Sequence, residues 1–381
     1  MTSTPRANKL TTALTTDRTR SEHVAALDGM RGIAVLLVML THARYGAPYL
    51  QGGSIGVDIF FVLSGFLITY LLVREHDRHG HRISLWKFYA RRALRLGPAL
   101  VLLLIVLALG GCLFFDPETA RSNLIDVAIT VVYAVNWARA FDIHPPKLLG
   151  HAWSLSIEEQ FYLLWPLILI VMLRAISSRQ RIATVILLGA VVSYLWRVAL
   201  ALQGASVQRL FNGLDTRADS LLVGCALGLV LGSNLIREEI RPVIAAKLKL
   251  VAPLTATAIA VTVLFSNWKA AHVYYWLLGV VEVLVGLTIL QLFVCNRCLV
   301  KSCLSIKPLV WIGTISYGLY LWHYPIYSVL HGRGMTFKGI LAGTVLTFVI
   351  AILSYYGLER PILRLKEGLA RETLTSSEAT G

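Results

Sequence analysis

Residues 30–46 read MRGIAVLLVMLTHARYG, an apolar run of the length and composition that enter a membrane as a helix. The run nevertheless keeps two ionisable side chains, Arg31 near one end and His42 near the other. Such groups are costly inside a bilayer, about 2.5 kcal/mol or more for an arginine at the centre of a span. They stand eleven positions apart, which is about three helical turns, so both project from nearly the same face. We therefore predict a first membrane helix that presents a cation near one membrane surface and an imidazole deeper inside.

The whole chain has the composition of a polytopic membrane protein. Of its 381 residues, 56% are hydrophobic and 15% are charged, whereas soluble domains average about 25% charged residues. The net charge of +15 does not indicate nucleic-acid binding, because the basic residues separate apolar segments and form no single stripe. Residues 1–29 are polar and lack the apolar core of a cleavable signal peptide. We predict that they form a disordered cytoplasmic tail, that 30–361 form a membrane domain and that 362–381 form a second cytoplasmic tail.

Apolar segments of about 17 to 25 residues are candidate membrane helices. The sequence contains eleven of them, at residues 30–46, 55–73, 94–115, 122–140, 155–173, 182–202, 217–234, 250–268, 273–294, 308–330 and 339–358. The segment 122–140 is the most polar, since it contains Asp126, Asn136 and Arg139.

The lysines and arginines predict the orientation of these segments. Residues 74–95 form the most basic loop, which places this loop and the N-terminus in the cytoplasm. If 122–140 does not cross, three further basic stretches are cytoplasmic as well: 174–181, 237–249 and 359–368. We therefore predict an all-α polytopic membrane protein, a single bundle of about ten transmembrane helices with both termini in the cytoplasm. The segment 122–140 is predicted to be re-entrant or interfacial.

Cysteine usage gives a weak signal of a metal site. Cys295, Cys298 and Cys303 stand in the stretch CNRCLVKSC, but no histidine or fourth cysteine is close by. A structural zinc site needs four such ligands. We interpret these residues as free thiols in a cytoplasmic loop, with a metal site as the lesser alternative, and predict that no metal is required.

Arg92 and Arg95 form a second polar cluster, in FYARRALRLGP at residues 88–98. They stand three positions apart and share a helix face at the cytoplasmic mouth of the third segment. Two guanidinium groups there suit a phosphate ligand, since each makes planar two-point contacts with oxygen atoms. The alternative is that these arginines only orient the segment, with its positive end in the cytoplasm. Charge alone favours this alternative.

A third cluster lies in HAWSLSIEEQFYLLWP at residues 151–166. Ser154 or Ser156 is expected to cap the helix that follows. Glu158 and Glu159 would then lie in its first turns, where the helix dipole favours acids. Adjacent residues on a helix project about 100° apart, so one glutamate is expected to face the bundle interior. The hydroxyl of Tyr162 adds a further polar group.

A fourth cluster lies in IGTISYGLYLWHYP at residues 312–325. Ser316, Tyr320 and His323 share one helix face, because they stand three or four positions apart. A second histidine inside the membrane favours a functional role over simple packing. Asp58 in the second segment and Arg217 near the seventh are smaller signals. Buried acids of this kind are expected to neutralise the buried arginines.

Together these clusters resemble the integral-membrane acyltransferase-3 family. In the first span of this family, a basic residue is followed by a histidine after ten intervening residues. Arg31 and His42 match this pattern. The family's Arg-x-x-Arg pattern is met by Arg92 and Arg95. The stretches GVDIFFVLSGFL, WSLSIEEQFYLLWP, SYGLYLWH and LERP resemble the family's other blocks in the same order. The resemblance covers about residues 27–361.

The resemblance implies a multi-pass membrane O-acyltransferase of the bacterial plasma (inner) membrane. The donor would be cytoplasmic acyl-CoA, expected to be acetyl-CoA. The acceptor would be a hydroxyl of a sugar-containing molecule, such as a surface polysaccharide, a lipid-linked saccharide or a glycosylated metabolite. Many family members carry an additional C-terminal hydrolase-like domain, and we expect this chain to be of the stand-alone type. The alternative is a transporter or flippase that moves a saccharide or an acyl donor without acyl transfer.

Three residues are expected to serve catalysis. His42 is the expected general base for the acceptor hydroxyl, because a neutral imidazole accepts a proton near pH 7. Glu158 would orient His42 or share its proton, and Arg31 would lie on the path of the donor. His323 is a second candidate base, ranked lower because it has no spaced arginine partner.

The remaining candidates would bind the donor or stabilise the oxyanion of the reaction. Arg92 and Arg95 are expected to hold the phosphates of coenzyme A, with Arg91 as a helper. Side chains with a hydroxyl, imidazole or acid group complete the predicted substrate or oxyanion site: Tyr162, Ser316, Tyr320, His323 and Asp58.

Overall fold

The computed structural model describes residues 25–43, 51–295, 298–332 and 336–364. Every regular element within these ranges is helical, which confirms the predicted all-α polytopic membrane fold. Most of the two predicted tails, residues 1–24 and 365–381, lies outside the described residues.

The described residues form fifteen α-helices, three of which are extended by a 3₁₀ or π-helical turn. Their bounds are α1 Ala25–His42, α2 Ile55–Arg78, α3 Leu85–Phe114, α4 Pro117–Val131, α5 Val135–Ala140, α6 Ala152–Ala175, α7 Arg179–Leu202, α8 Val207–Asn212, α9 Ala218–Gly232, α10 Arg241–Phe265, α11 Leu278–Val294, α12 Leu299–Leu304, α13 Lys307–Thr314, α14 Ser316–Gly332 and α15 Phe337–Ser354. The turns are Gln51–Ser54 before α2, Val273–Leu277 before α11 and Tyr355–Glu359 after α15.

Eight of these helices are long and apolar enough to cross a membrane: α1, α2, α3, α6, α7, α10, α11 and α15. Two other predicted spans have a different form. The span predicted at 217–234 corresponds to α9, which has only 15 residues. The span predicted at 308–330 is divided at Ile315 into α13 and α14. The predicted count of about ten therefore corresponds to eight long helices, one short helix and one broken pair.

The segment 122–140 is not one helix. α4 ends at Val131 and α5 begins at Val135. Between them, Tyr133 has a φ of +53°, a left-handed conformation that interrupts the helix. A transmembrane helix needs about 20 residues, and both pieces are shorter. This form agrees with the prediction that the segment does not cross as a single span.

Several helices begin earlier than the sequence indicated. α1 begins at Ala25, inside the predicted tail, and α3 begins at Leu85 after a cap in which Ser84 Oγ accepts from the backbone of Lys87. α6 begins at Ala152, so the prediction that Ser154 or Ser156 caps this helix was wrong. Both serines lie in the first turns and point into the bundle, where Ser156 Oγ donates to the Ala152 carbonyl at 3.0 Å.

α2 lies at the centre of the bundle and packs most extensively against α9. Small residues make this close approach possible. A Cβ at Gly65 of α2 would collide with the backbone of Leu221, and one at Gly224 of α9 would collide with the backbone of Val62. The two helices therefore touch through their backbones, which brings their polar residues into contact.

Buried ion pairs join the helices around α2. Asp58 of α2 accepts from Arg217 at 2.5 Å, and both side chains are almost fully buried. Arg197 of α7 pairs with Asp219 of α9, and its guanidinium lies 3.8 Å from Glu282 of α11. The expectation that buried acids neutralise buried arginines fits this geometry. These pairs satisfy charges that would otherwise be costly within the membrane.

Candidate active site

A cavity of about 420 Å³ opens at one end of the bundle, between α1, α2, α3, α6, the α13–α14 pair and the turn after α15. Its walls contain seven of the eleven side chains predicted to form the site: Arg31, Arg92, Arg95, Glu158, Tyr162, Ser316 and Tyr320. These residues come from four distant parts of the sequence. The fold thus brings the predicted clusters together around one internal space.

Three arginines line this cavity in different electrostatic settings. Arg31 pairs with Asp28 at 3.0 Å, one helical turn away. Arg92 donates from Nε to Glu159 at 3.3 Å, and its guanidinium lies 3.1 Å from the centre of the Tyr162 ring.

Arg95 differs from the other two arginines. Among the described residues, no carboxylate lies within ion-pair distance of its guanidinium, although its charge interacts with those of Arg31 and Arg92. A cavity wall with three guanidinium groups, one of them without a carboxylate, is suited to a phosphate-bearing ligand.

Arg91 does not line the cavity. It projects about 100° away from Arg92 on the same helix, is exposed, and pairs with Glu75 at 3.1 Å. The expected helper role of Arg91 in donor binding therefore does not fit its position.

Glu158 faces the cavity, as expected for one of the two adjacent glutamates. Its Oε1 accepts a hydrogen bond of 2.5 Å from Ser64 of α2. Glu159 instead pairs with Arg92. The expected role of Glu158 in orienting His42 does not match these contacts, because a second histidine contacts His42.

His42 and His323 form a pair between α1 and α14. The Nδ1 of His42 lies 3.1 Å from the Nε2 of His323. The other ring nitrogen of His323, Nδ1, lies 3.1 Å from the backbone carbonyl of Leu319, and the side chain is fully buried. His323, predicted as a second candidate base, is therefore the partner of the first.

This geometry determines which ring nitrogens carry protons when both rings are neutral. A carbonyl oxygen only accepts, so the Nδ1 of His323 carries the proton and its Nε2 is the acceptor. The Nδ1–H of His42 then donates to that Nε2. In this neutral tautomer the lone pair of the His42 ring lies on Nε2.

Tyr320 lies between the cavity and the histidine pair. It lines the cavity, and its ring centre lies 5.5 Å from that of His323. Its hydroxyl donates to the backbone carbonyl of His151 at 2.7 Å and lies 2.5 Å from Ser154 Oγ. This residue separates an arginine-lined space from two imidazoles.

His151 is a third histidine of this cluster, and the sequence reasoning missed it. Its ring stacks on Tyr324 with centres 4.9 Å apart and lies 5.5 Å from the ring of His323. It is 2% exposed, and neither ring nitrogen has a hydrogen-bond partner among the described residues. The sequence feature that could have indicated His151 is its position as the first residue of HAWSLSIEEQFYLLWP.

Comparison with known proteins agrees with these motifs. The profile of the family described as Acyltransferase domain matches residues 24–358. The chain belongs to the acyltransferase-3 family. The motifs that carry the resemblance to this family, Arg31 with His42, Arg92 with Arg95, and the stretches around Glu158 and Tyr320, all lie at the cavity or at the histidine pair.

Three curated relatives of this acyltransferase-3 chain are informative. It is 33% identical over 361 residues to the peptidoglycan O-acetyltransferase OatA of Listeria monocytogenes, covering 91% of this chain and 57% of the relative. It is 35% identical to the putative peptidoglycan O-acetyltransferase YrhL of Bacillus subtilis, covering 89% and 55%. It is 34% identical to the O-acetyltransferase OatA of Staphylococcus aureus, covering 89% and 57%. The chain thus spans little more than half the length of these relatives. No solved structure matches it.

Asp58 lies outside the cavity wall of this family member. Its carboxylate is 1% exposed and is held by Arg217, so it is not in a position to contact a substrate in the cavity. This position does not support the predicted substrate or oxyanion role of Asp58.

One group of described residues has metal-ligand spacing, His76, Asp77 and His81, whose donor atoms lie within 4.8 Å of one another. The guanidinium of Arg179 contacts His76 Nδ1 at 3.2 Å and Asp77 Oδ1 at 2.8 Å. A cation that already occupies these donor atoms competes with a metal. The described cysteines, including Cys295 and Cys298, are free thiols.

Proposed function

We propose that the protein is a membrane O-acetyltransferase. It transfers an acetyl group from cytoplasmic acetyl-CoA to a hydroxyl of a sugar-containing acceptor, with cell-wall peptidoglycan as the first acceptor to test. Its location would be the plasma (inner) membrane of a bacterium. Family membership and the names of the three relatives support this proposal. None of these relatives is named as a transporter, and no observation favours the saccharide or acyl-donor transport alternative.

One observation carries the proposal: a cavity lined by guanidinium groups is also lined by Tyr320, whose ring centre lies 5.5 Å from that of His323 in the histidine pair. Arg92 and Arg95 line the cavity, and Tyr320 joins its wall to the His42–His323 pair. The phosphates of coenzyme A would bind the arginines, with Arg95 as the main contact because no described carboxylate pairs with it. The pantetheine arm would follow the cavity and bring the thioester to Tyr320.

His42 acts as the general base in this mechanism. The acceptor oxygen attacks the thioester carbonyl while its proton moves to Nε2 of His42. His323 accepts the hydrogen bond from Nδ1–H and stabilises the imidazolium that forms. The tetrahedral intermediate then expels the thiolate of coenzyme A, which takes up the proton, and the acetyl ester remains on the acceptor.

The oxyanion of the tetrahedral intermediate needs hydrogen-bond donors. Tyr320 lies in the wall shared by the cavity and the histidines, and it would serve by redirecting to the oxyanion the O–H that now donates to the His151 carbonyl. Tyr162 and Ser316 line the same cavity and are further candidates. Arg31 lies at the other end of α1 from His42 and would guide the donor between the mouth and the thioester position.

The direct test uses purified protein in nanodiscs with acetyl-CoA and solubilised peptidoglycan fragments. We expect release of the coenzyme A thiol in proportion to an acetyl ester found on the glycan by mass spectrometry. Thiol release without a glycan ester would redirect the search to another acceptor. Failure to bind acetyl-CoA would contradict the proposal, and movement of a labelled saccharide across proteoliposomes without ester formation would support the transport alternative instead.

A further inference from the structure

A groove of about 470 Å³ lies beside the arginine-lined cavity. Thr314 and Tyr355 line both spaces, so the groove and the cavity are neighbours at the same end of the bundle. The other groove residues come from the start of α1, from α12–α13 and from the turn after α15: Ala25, Ser305, Lys307, Val310, Trp311, Tyr356 and Arg360.

The groove combines exposed aromatic rings with cations. Trp311 is 37% exposed and Tyr356 is 42% exposed, and Trp311 Nε1 donates to the Tyr356 hydroxyl at 3.3 Å. The guanidinium of Arg360 lies 5.4 Å from the centre of the Tyr356 ring. Lys307 and Arg360 are exposed, and no acid is among the groove's described lining residues. The neighbouring acid, Glu359, is buried and faces the other cavity, where it accepts from Ser354.

Two kinds of anionic ligand could use such a groove. Tryptophan and tyrosine with lysine and arginine are common at membrane interfaces, where they contact lipid headgroups. A nucleotide uses the same chemistry, because aromatic rings stack on a base and cations bind its phosphate. The contact with the arginine-lined cavity favours the nucleotide, since a lipid site needs no connection to that cavity.

We propose that this groove binds the 3′-phosphoadenosine end of acyl-CoA. The inference rests on the proposed function and extends it. Coenzyme A carries its adenine and 3′-phosphate beyond the pyrophosphate, at the far end from the thioester. If Arg92 and Arg95 hold the pyrophosphate, the nucleotide end must lie outside the cavity mouth. There the rings of Trp311 and Tyr356 can stack on the adenine, while Lys307 and Arg360 contact the 3′-phosphate.

The test compares acetyl-CoA with 3′-dephospho-acetyl-CoA, which lacks only the phosphate in question. We expect the parent protein to bind acetyl-CoA about tenfold more tightly, the ratio that roughly 1.4 kcal/mol gives. Lys307→Gln with Arg360→Gln should reduce this ratio to about one while leaving the affinity for the dephospho donor unchanged. Arg95→Ala should weaken the binding of both donors and keep the ratio. Lys87→Gln, an exposed cation that lines neither space, is the matched control and should behave like the parent.

The outcomes separate the inference from the proposed function. If the parent binds both donors equally, or if the double variant keeps the preference, the groove does not bind the 3′-phosphate, and acetyl transfer still stands. If the parent binds neither donor, the proposed function fails as well. The measurements are made in nanodiscs of phosphatidylcholine alone and with added phosphatidylglycerol. If the double variant binds both donors like the parent and differs only in how much phosphatidylglycerol it retains, the groove is a lipid-headgroup site. That result would overturn the inference.

Discussion

Arg95 and Arg91 differ in one decisive respect, although both belong to the same basic stretch of α3. Arg95 lines the cavity and has no carboxylate partner among the described residues, whereas Arg91 lies outside the cavity wall and is paired with Glu75. A pure topology signal would make the two equivalent, because each contributes one positive charge on the same side of the membrane.

We therefore predict that Arg95→Ala weakens acetyl-CoA binding and that Arg91→Ala does not. Loss of a charge-assisted contact to phosphate costs about 1.5 to 3 kcal/mol, which is roughly a ten- to hundredfold increase in Kd. Titration calorimetry on the purified variants measures the effect. If Arg95→Ala and Arg91→Ala bind acetyl-CoA with equal affinity, these arginines serve only to orient the helix in the membrane.

In the proposed mechanism, His323 positions the ring of His42. Replacing it by leucine removes the acceptor for the Nδ1–H of His42. We expect His323→Leu to lower kcat by about 10- to 100-fold with unchanged acetyl-CoA binding, since general-base catalysis contributes about 10²- to 10⁴-fold in total. His323→Gln provides a carbonyl that can accept the same hydrogen bond and should recover part of the rate. A purely packing role would make the two variants equally active or equally inactive.

Helical spacing predicted the cavity-facing residues well and the histidine pair poorly. Arg92 and Arg95 share a face because they stand three positions apart, and this local rule holds in the structure. The pair of His42 and His323 joins residues 281 positions apart, so it depends on how α1 packs against α14. Helical spacing within one segment does not show which helices pack together. His151 was missed for the same reason.

At the scale of helices, the ion pair between Asp58 and Arg217 connects α2 to the start of α9. Both side chains are buried, so removing one charge leaves the other uncompensated. We predict that Asp58→Asn destabilises the protein by about 3 to 5 kcal/mol, the usual cost of breaking a buried pair. The variant should unfold at a lower temperature in detergent.

A double replacement tests whether the effect of Asp58→Asn comes from the unpaired charge. Asp58→Asn with Arg217→Gln removes both charges and should recover much of the lost stability. Arg91→Ala, which breaks an exposed pair, should have little effect on unfolding. If Asp58→Asn unfolds like the parent, the pair is not important for stability.

Element boundaries show where charge and hydropathy stop being informative. The polar residues of 122–140 correctly indicated that this segment is not an ordinary span, and the structure divides it near Tyr133. The division of 308–330 at Ile315 falls beside Thr314 and Ser316, but no charged residue marks it, so charge and hydropathy did not indicate it. The start of α6 was misplaced because serines favour helix caps, and here they contact neighbouring groups inside the bundle.

At the scale of the whole molecule, the topology follows from the positive-inside rule. We predict that reporter domains fused at Arg179 and at Lys247 both report a cytoplasmic location, because both positions lie in basic stretches between apolar helices. An extracytoplasmic signal at either position would contradict the topology with both ends in the cytoplasm. It would also move the arginine-lined mouth away from the compartment that holds acyl-CoA.

The central claim is that donor binding and proton transfer are separate tasks at the two ends of one internal path. His42→Gln tests it most directly, because glutamine keeps a polar side chain but cannot accept the proton. The matched control is His272→Gln, at an exposed histidine on another part of the chain. Acetyl-ester formation and acetyl-CoA affinity are measured side by side on purified protein in nanodiscs.

We predict that His42→Gln loses at least about 100-fold in ester formation and binds acetyl-CoA like the parent. His272→Gln should match the parent in both measurements. If His42→Gln keeps near-parental turnover, His42 is structural and the proposed mechanism is wrong. If it loses donor binding together with activity, the two tasks are not separate.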